Sequence, residues 1–316
     1  MKFLEKLTKK TNIFQRTVGL SLNQFNIMLS QLDKNWTAAE KKRKSYDNRK
    51  RKIGAGHPYK NETLKDKLLI VLLYYKLYLT QEFLGIVVDL DQANVSRLLK
   101  KMLPLIEKAA DSELSTYLKN VEDLQCSETR INNFDDFFNK HPELRDVSTD
   151  ATEQQCYRSK NYENQKQFYS GKKKRHTIKT QVSVSKTGKI LDVSDSYGGS
   201  IHDKTIIDKE DTIQKFPKQT CHRFDSGYQG VKVNNSDYYL VLPTKKPKGE
   251  ELSELAKEHN QVNSKRRVIS EHVFSRLKKF RICSYLYRGE IKFHNQIVRN
   301  IAAILNFKLA HPIIVM

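Results

Sequence analysis

Residues 175–184, RHTIKTQVSV, alternate polar and apolar positions and are rich in β-branched side chains. That is the pattern of a strand. Its neighbours extend it into a sheet. Thr187-Gly188 is a turn, and residues 189–197 (KILDVSDSY) are the hairpin partner, broken by Gly198-Gly199. Upstream, residues 145–151 (RDVSTDA) form a short strand expected to end at Asp150. Downstream, residues 203–216 predict a helix, 221–224 a strand that delivers Asp225, and 238–242 (YYLVL) a further buried strand. Residues 250–280 predict helix in two pieces. The order is β-β-β-α-β-β-α, with acids at the end of the first strand, at the end of the fourth, and on the late helix.

This order resembles a ribonuclease H-like fold, an α/β mixed sheet with flanking helices, although the usual helix between the fourth and fifth strands is not evident in residues 226–237. The placement of the acids has a chemical reason. In-line attack on a phosphodiester is served by two divalent ions about 4 Å apart. Mg²⁺ prefers oxygen ligands and keeps several waters, so a few carboxylates suffice.

Five blocks carry a family resemblance: DATEQ (150–154), FYSGKKKRHTIKTQV (168–182), GGSIHD (198–203), DSGYQG (225–230) and SEHVFSRLKKFR (270–281). In this order and spacing they resemble DDE transposases of bacterial insertion sequences, in the branch related to Harbinger-type transposases. The resemblance implies a catalytic, metal-holding triad of Asp150, Asp225 and Glu271, with two Mg²⁺ ions as cofactors and Mn²⁺ as substitute. His202 and Asp203 are supporting residues by the same likeness. It also implies binding of double-stranded DNA at terminal inverted repeats, cleavage at the element ends, transfer of the 3′-OH to target DNA, and a homodimer or larger assembly. An endonuclease that cuts without joining, or a domesticated DNA-binding protein, are the alternatives.

On the late helix, Arg267, Glu271, Phe274 and Lys278 share one face, while Ile269, Val273, Leu277 and Phe280 form the neighbouring apolar stripe. A carboxylate flanked by cations suits a metal where phosphates run past, so Arg267 and Lys278 are candidate DNA contacts. Lys172, Lys173, Lys174 and Arg175 lie between the first acid and the central strands and are candidate backbone contacts. His176 and His202 suit substrate contact or structural hydrogen bonding better than metal ligation.

The first half is helical. Residues 64–79 are too densely apolar for a surface stripe, so they predict a buried helix. Thr80 is the N-cap of a second helix running through Val88, and Asp89-Leu90-Asp91 breaks it. Asp91 then caps a third helix in which Val95, Leu98, Leu99, Met102 and Ile106 recur at helical spacing, with Pro104 kinking or ending it. This is the plan of a helix-turn-helix. Gln92, Asn94, Ser96 and Arg97, at the start of the last helix, face outward and suit base edges in the major groove. Trp36 is a core residue of the N-terminal helix region.

The chain has 316 residues, a formal net charge of +21 and 38% hydrophobic residues. An excess of this size calls for an anionic partner such as nucleic acid and argues against an enzyme of small neutral metabolites. Residues 1–60 hold 15 basic and 4 acidic side chains, and residues 41–52 (KKRKSYDNRKRK) are a basic arm able to grip phosphates. Residues 111–146 reverse the sign, with nine acids and four basic residues, and form a connector. The organisation expected is 1–58 N-terminal helix and basic arm, 59–112 helix-turn-helix, 113–145 acidic connector, and 146–316 catalytic domain. The longest apolar run, LLIVLLYY at 68–75, is too short for a membrane span. The apolar tail from Ile301 is a packed helix and strand. Cysteines 126, 156, 221 and 283 are scattered and read as buried reduced thiols. Without a secretory signal at its start, the chain is placed in the bacterial cytoplasm with the nucleoid.

Overall fold

The computed structural model describes residues 2–44, 63–110, 134–231 and 237–313. The basic arm beyond Lys44, most of the acidic connector, Cys126 and residues 232–236 lie outside them. The chain divides into two compact units, one of residues 1–112, 279–282 and 299–316, the other of residues 113–278 and 283–298.

The first unit is helical. Its elements are α1 (Lys2–Thr8), α2 (Thr11–Val18), α3 (Leu22–Lys44), α4 (Leu64–Leu77), α5 (Gln81–Val88) and α6 (Gln92–Ala110). The run from Leu68 to Leu73 is buried all round, so α4 is the axis about which the unit packs. Thr63 and Asp66 close a capping box at its start, and Tyr78 ends it in the left-handed conformation. The Thr80 side chain accepts from the Phe83 N–H and opens α5, as expected. Asp89 ends α5 in the left-handed conformation, and α6 begins at Gln92. Pro104 does not end α6. The helix runs six residues further, because Leu105, Ile106, Ala109 and Ala110 are all buried and packing outweighs one missing backbone bond. Trp36 is half-buried, with the Lys101 ammonium 4.3 Å from its ring centre.

The second unit is a mixed sheet flanked by helices. Helix α7 (Phe134–Lys140), from the end of the acidic stretch, inserts Phe138 into a cluster with Leu144, Val147, Leu191 and Phe216. Then follow β1 (Asp146–Gln155), α8 (Tyr162–Phe168), β2 (Tyr169–Ser170), β3 (Arg175–Ser185), β4 (Ile190–Val193) and β5 (Tyr197–Gly198). After them come α9 (Asp203–Glu210), β6 (Cys221–Arg223), β7 (Tyr239–Val241), α10 (Glu254–Lys278) and α11 (His294–Ala310). Only the first turn of α11 counts with this unit; the rest, with Ile301, Ala302 and Ile304 fully buried, belongs to the helical one.

Strand β1 is central. It pairs antiparallel with β3 from Val147↔Ser185 to Gln155↔Thr177, and parallel with β6, which pairs parallel with β7. Strands β4 and β5 pair with β3. This topology fits a ribonuclease H-like α/β fold.

Three expectations for this unit need correction, and one helix was not foreseen. Strand β1 does not stop at Asp150 but continues to Gln155, because β3 supplies backbone partners along its whole length. The helix from Asp203 ends at Glu210, where Asp211 turns left-handed. Residues 254–278 form one helix rather than two. The short helix α8 follows Asn161, whose side chain caps it, in a stretch without an apolar period. Between β6 and β7 the described residues hold a 3₁₀ turn at Ser226–Tyr228 and, at Val231, a residue in helical conformation.

Candidate functional site

Two aspartates meet at the β1–β6 junction. In the parallel register Ser148 pairs with Arg223, so Asp225, two residues on, comes level with Asp150. Arg223 locks that register through both carboxylate oxygens of Asp146, at 2.8 to 3.0 Å. The Asp150 Oδ1 accepts from the Ala151 N–H at 2.8 Å. The Asp225 Oδ1 accepts from the Gly227 N–H. The second oxygens of both acids converge on one group, the Arg267 Nη2 of α10, 3.5 Å from each. Burial raises the Asp150 pKa above the usual carboxylate range. The Ala151 N–H and Arg267 oppose that shift, while Asp225 and Asp203 add to it.

Side chains alternate along β1, so Asp150, Thr152 and Gln154 share the face that α10 covers. A small cavity lined by Thr152, Gln154, Ile178, Thr180, Phe274 and Leu277 marks that packing. Val273 and Leu277 of the expected apolar stripe are buried. Glu271 lies one turn beyond Arg267 and is exposed. The structure therefore brings Asp150, Asp225 and Arg267 together and leaves Glu271 outside that contact. Among the described residues no three acids, histidines or cysteines are gathered in a metal-holding group. Asn263, Arg267 and Ser270 on the inner side of α10 each carry a buried polar atom without a partner.

On the other face of the sheet stands a polar network that sequence reasoning missed. Lys179 is buried, and its ammonium lies 2.8 Å from the Ile201 carbonyl, 2.8 Å from Asp203 Oδ1 and 3.8 Å from Glu153 Oε1. The Thr177 hydroxyl donates to Glu153 Oε2 at 2.7 Å. The Gln181 amide donates to the Asp203 carbonyl and to the Tyr228 hydroxyl, both at 3.0 Å. Burial, and then the charges of Asp203, Asp150 and Asp225, hold Tyr228 protonated. One signal was available: a lysine inside a β-branched strand must find an anion. Gly227 fits between the two groups. A β-carbon there would stand 2.9 Å from Asp225 Oδ1 and 3.3 Å from Asp203 Oδ2.

The remaining candidates sit at the surface. His202 is exposed and makes no capping bond to α9. His176 is half-buried at the edge of the Tyr169 ring. Lys172, Lys173 and Lys174 are exposed in the β2–β3 turn, with Lys174 at φ +54°. Arg175 reaches the Gln155 side chain at 3.2 Å, and Lys278 is exposed at the end of α10.

In the helical unit, Gln92, Asn94 and Arg97 are exposed at the start of α6, and Ser96 is half-buried. Arg97 donates to the Asn94 side chain at 2.8 Å, and Gln92 to that of Gln81 at 3.3 Å. The turn is tight: a β-carbon on Gly85 would lie 2.4 Å from the Leu90 carbonyl oxygen. A concavity of about 800 Å³ runs past Gly85, Asp91, Gln92, Asn94 and Arg97.

A helix-turn-helix unit in one chain with a ribonuclease H-like sheet that brings an aspartate within β1 level with one just past β6 defines a class, a DNA-binding module joined to a phosphodiester-cleaving scaffold. The comparisons narrow it. Residues 149–306 match the family described as DDE superfamily endonuclease, and residues 63–112 match the helix-turn-helix of DDE superfamily endonuclease. The chain is 30% identical over 299 residues, 94% of each sequence, to the "Probable transposase for insertion sequence element IS702" of Microchaete diplosiphon. No solved structure matches it significantly. The chain belongs to the DDE superfamily of endonucleases. Among the described residues no helix is long and apolar enough to cross a membrane.

Proposed function

We propose that this protein is the transposase of an insertion sequence, of the Harbinger-related branch, with Asp150, Asp225 and Glu271 as its catalytic acids. The observation that carries the reading is the convergence of Asp150 and Asp225 on one positive charge, 3.5 Å from each. The facing oxygens of Asp150, within β1, and Asp225, just past β6, on a common cation are suited to a divalent ion, with Glu271 one helical turn beyond that arginine as the third carboxylate. The donor set is all oxygen, as Mg²⁺ prefers, with Mn²⁺ as substitute. When bound, a pair of such ions supplies charge stabilisation to the attacking and leaving oxygens of an in-line displacement.

The chain's own groups do the rest. Asp150 and Asp225 must be ionised to hold the ions, and Arg267 supports that state in Asp150. Arg267 and Lys278, on one face of α10, are suited to the phosphate of the strand being cut, and Lys172 to Arg175 to the backbone beside it. Gln92, Asn94, Ser96 and Arg97 read the terminal repeats, and the basic arm adds grip without sequence. Cleavage at the element end frees a 3′-OH, which attacks target DNA. Two ends are processed together, so a homodimer or larger assembly forms on DNA, in the bacterial cytoplasm.

The test is incubation of the protein with its flanking terminal repeats and Mg²⁺ or Mn²⁺, followed by strand transfer from a pre-cleaved end. Metal-dependent cleavage that survives Asp225→Asn or Glu271→Gln overturns the site assignment. Cleavage without strand transfer reduces the protein to an endonuclease.

A further inference from the structure

Residues 156–176, between the end of β1 and the start of β3, form a lobe that the core does not explain. Helix α8 within it has no buried residue. A seven-residue helix is too short to hold itself in water, so something other than burial orders it. The ordering contacts are polar. The Asn161 side chain accepts from the Asn164 N–H. Arg158 donates twice to the Gln165 side chain, at 3.0 and 2.8 Å, and Gln165 returns a bond to the Ser159 carbonyl at 2.9 Å. The Cys156 N–H donates to the His176 carbonyl, fastening the lobe to β3.

What this scaffold presents is aromatic and cationic. Tyr157, Tyr162 and Tyr169 are 62%, 65% and 43% exposed. Single exposed aromatics are ordinary, but these three lie on one small ordered lobe. Two have a neighbour against the ring, Tyr162 the Lys166 ammonium 4.7 Å from its ring centre and Tyr169 the edge-on His176 at 5.6 Å. Residues 158–176 carry seven basic side chains and one acidic. Cations track a phosphate backbone, and flat rings between them match bases that are free to stack. A paired duplex keeps its bases inside and would engage the cations alone.

We propose that this lobe holds an unpaired DNA strand by stacking its bases on Tyr157, Tyr162 and Tyr169. The inference rests on the DNA-processing reading above and adds to it a second DNA contact with a defined offset. Gln155 lies five strand residues from Asp150, about 17 Å at ~3.4 Å per residue. That is roughly five nucleotides of stacked strand from the acids, at about 3.4 Å each.

The experiment uses the full chain and two fluorescent probes, an oligothymidine of about 15 nucleotides and a random-sequence duplex of equal length, compared by anisotropy at one salt concentration. Tyr157→Ala and Tyr162→Ala should each weaken oligothymidine binding about fivefold or more and leave duplex binding within about twofold. Tyr157→Phe and Tyr162→Phe should bind as the unaltered chain does, and Lys173→Glu should weaken both probes. Equal losses on the two probes, or no loss on either, overturn the proposal, with an unchanged melting temperature confirming each variant's fold. A retained tyrosine effect in a chain that cleaves no terminal repeat would sink the catalytic reading alone. Cleavage without the tyrosine effect would sink this inference alone.

Discussion

Asp150 and Glu153 stand three residues apart on one strand, on opposite faces of it, and their surroundings differ in kind. Glu153 belongs to a closed set: a hydroxyl at 2.7 Å, and an ammonium that also binds Asp203 and the Ile201 carbonyl at 2.8 Å. Asp150 belongs to an open one, sharing with Asp225 a single guanidinium at the long distance of 3.5 Å. Across from it, Asn263, Arg267 and Ser270 keep unpartnered buried atoms. A buried charge whose partners are complete serves the fold, because any exchange would leave an uncompensated ion. On the function proposed above, the open face is the one for chemistry and the closed face the one for support.

The largest expected effect breaks the open set. Asp150→Asn or Asp225→Asn should lower metal-dependent cleavage on the order of 10⁴-fold, while the melting temperature holds or rises, since each change removes one of two acids that repel each other. A melting temperature that collapses with activity would mean that the acids are structural. The closed set should respond the other way. Lys179→Met leaves the buried Glu153 carboxylate and the half-buried Asp203 without their cation, at a cost of about 3 kcal/mol of stability. Urea unfolding measures it, and the residual folded protein should still cleave. A variant that is fully stable and inactive would place Lys179 in the site itself.

How much of this was legible depended on whether a feature is local. The helix-turn-helix could be read because its marks are sequence neighbours: Thr80 as cap and Asp89-Leu90-Asp91 at the break. Asp150 and Asp225 could be assigned to neighbouring strands from pattern and likeness, though Asp150 falls within β1 and not at its end. The end of β1 could not be read, since residues 151–155 (ATEQQ) are polar and are strand only because β3 pairs with them. Helix α8 has no apolar period because it buries nothing. Lys179 was visible in a strand, but its partners lie 24 and 26 residues away and only the fold joins them. Arg267 was expected on DNA from its helical face. Its contact with two acids follows from which side of α10 meets β1.

A third buried polar group sharpens the contrast by having neither kind of set. His222 on β6 is fully buried between Phe216 and Phe224, and neither ring nitrogen has a hydrogen-bond partner among the described residues. Burial lowers its pKa to about 3. The unfolded chain takes up the proton near pH 6.5 and the folded chain does not. Stability is thus full above about pH 6.5 and falls as the pH drops toward 3. The loss is about 2 kcal/mol between pH 7 and pH 5. His294, whose pKa burial lowers to about 4, loses a similar amount over the same window, so His222→Phe should cut the slope there by about half and raise the melting temperature at pH 5. An unchanged slope would mean that another group titrates there.

The smallest change tests whether the closed set is closed to catalysis as well. Thr177→Val keeps the shape of the side chain and removes one hydrogen bond to the Glu153 carboxylate, worth about 1.5 kcal/mol because the acceptor is charged. Gly199 leaves no slack for rearrangement, since a β-carbon there would lie 2.0 Å from the Thr177 hydroxyl. The variant should unfold at a lower denaturant concentration and cleave at the same rate with the same metal requirement, because Lys179 still holds Glu153 and Asp203 in place. A cleavage rate that falls more than about tenfold, with stability unmoved, would show that strain on this face reaches Asp203 and through it the acid pair. The two faces of β1 would then act as one site.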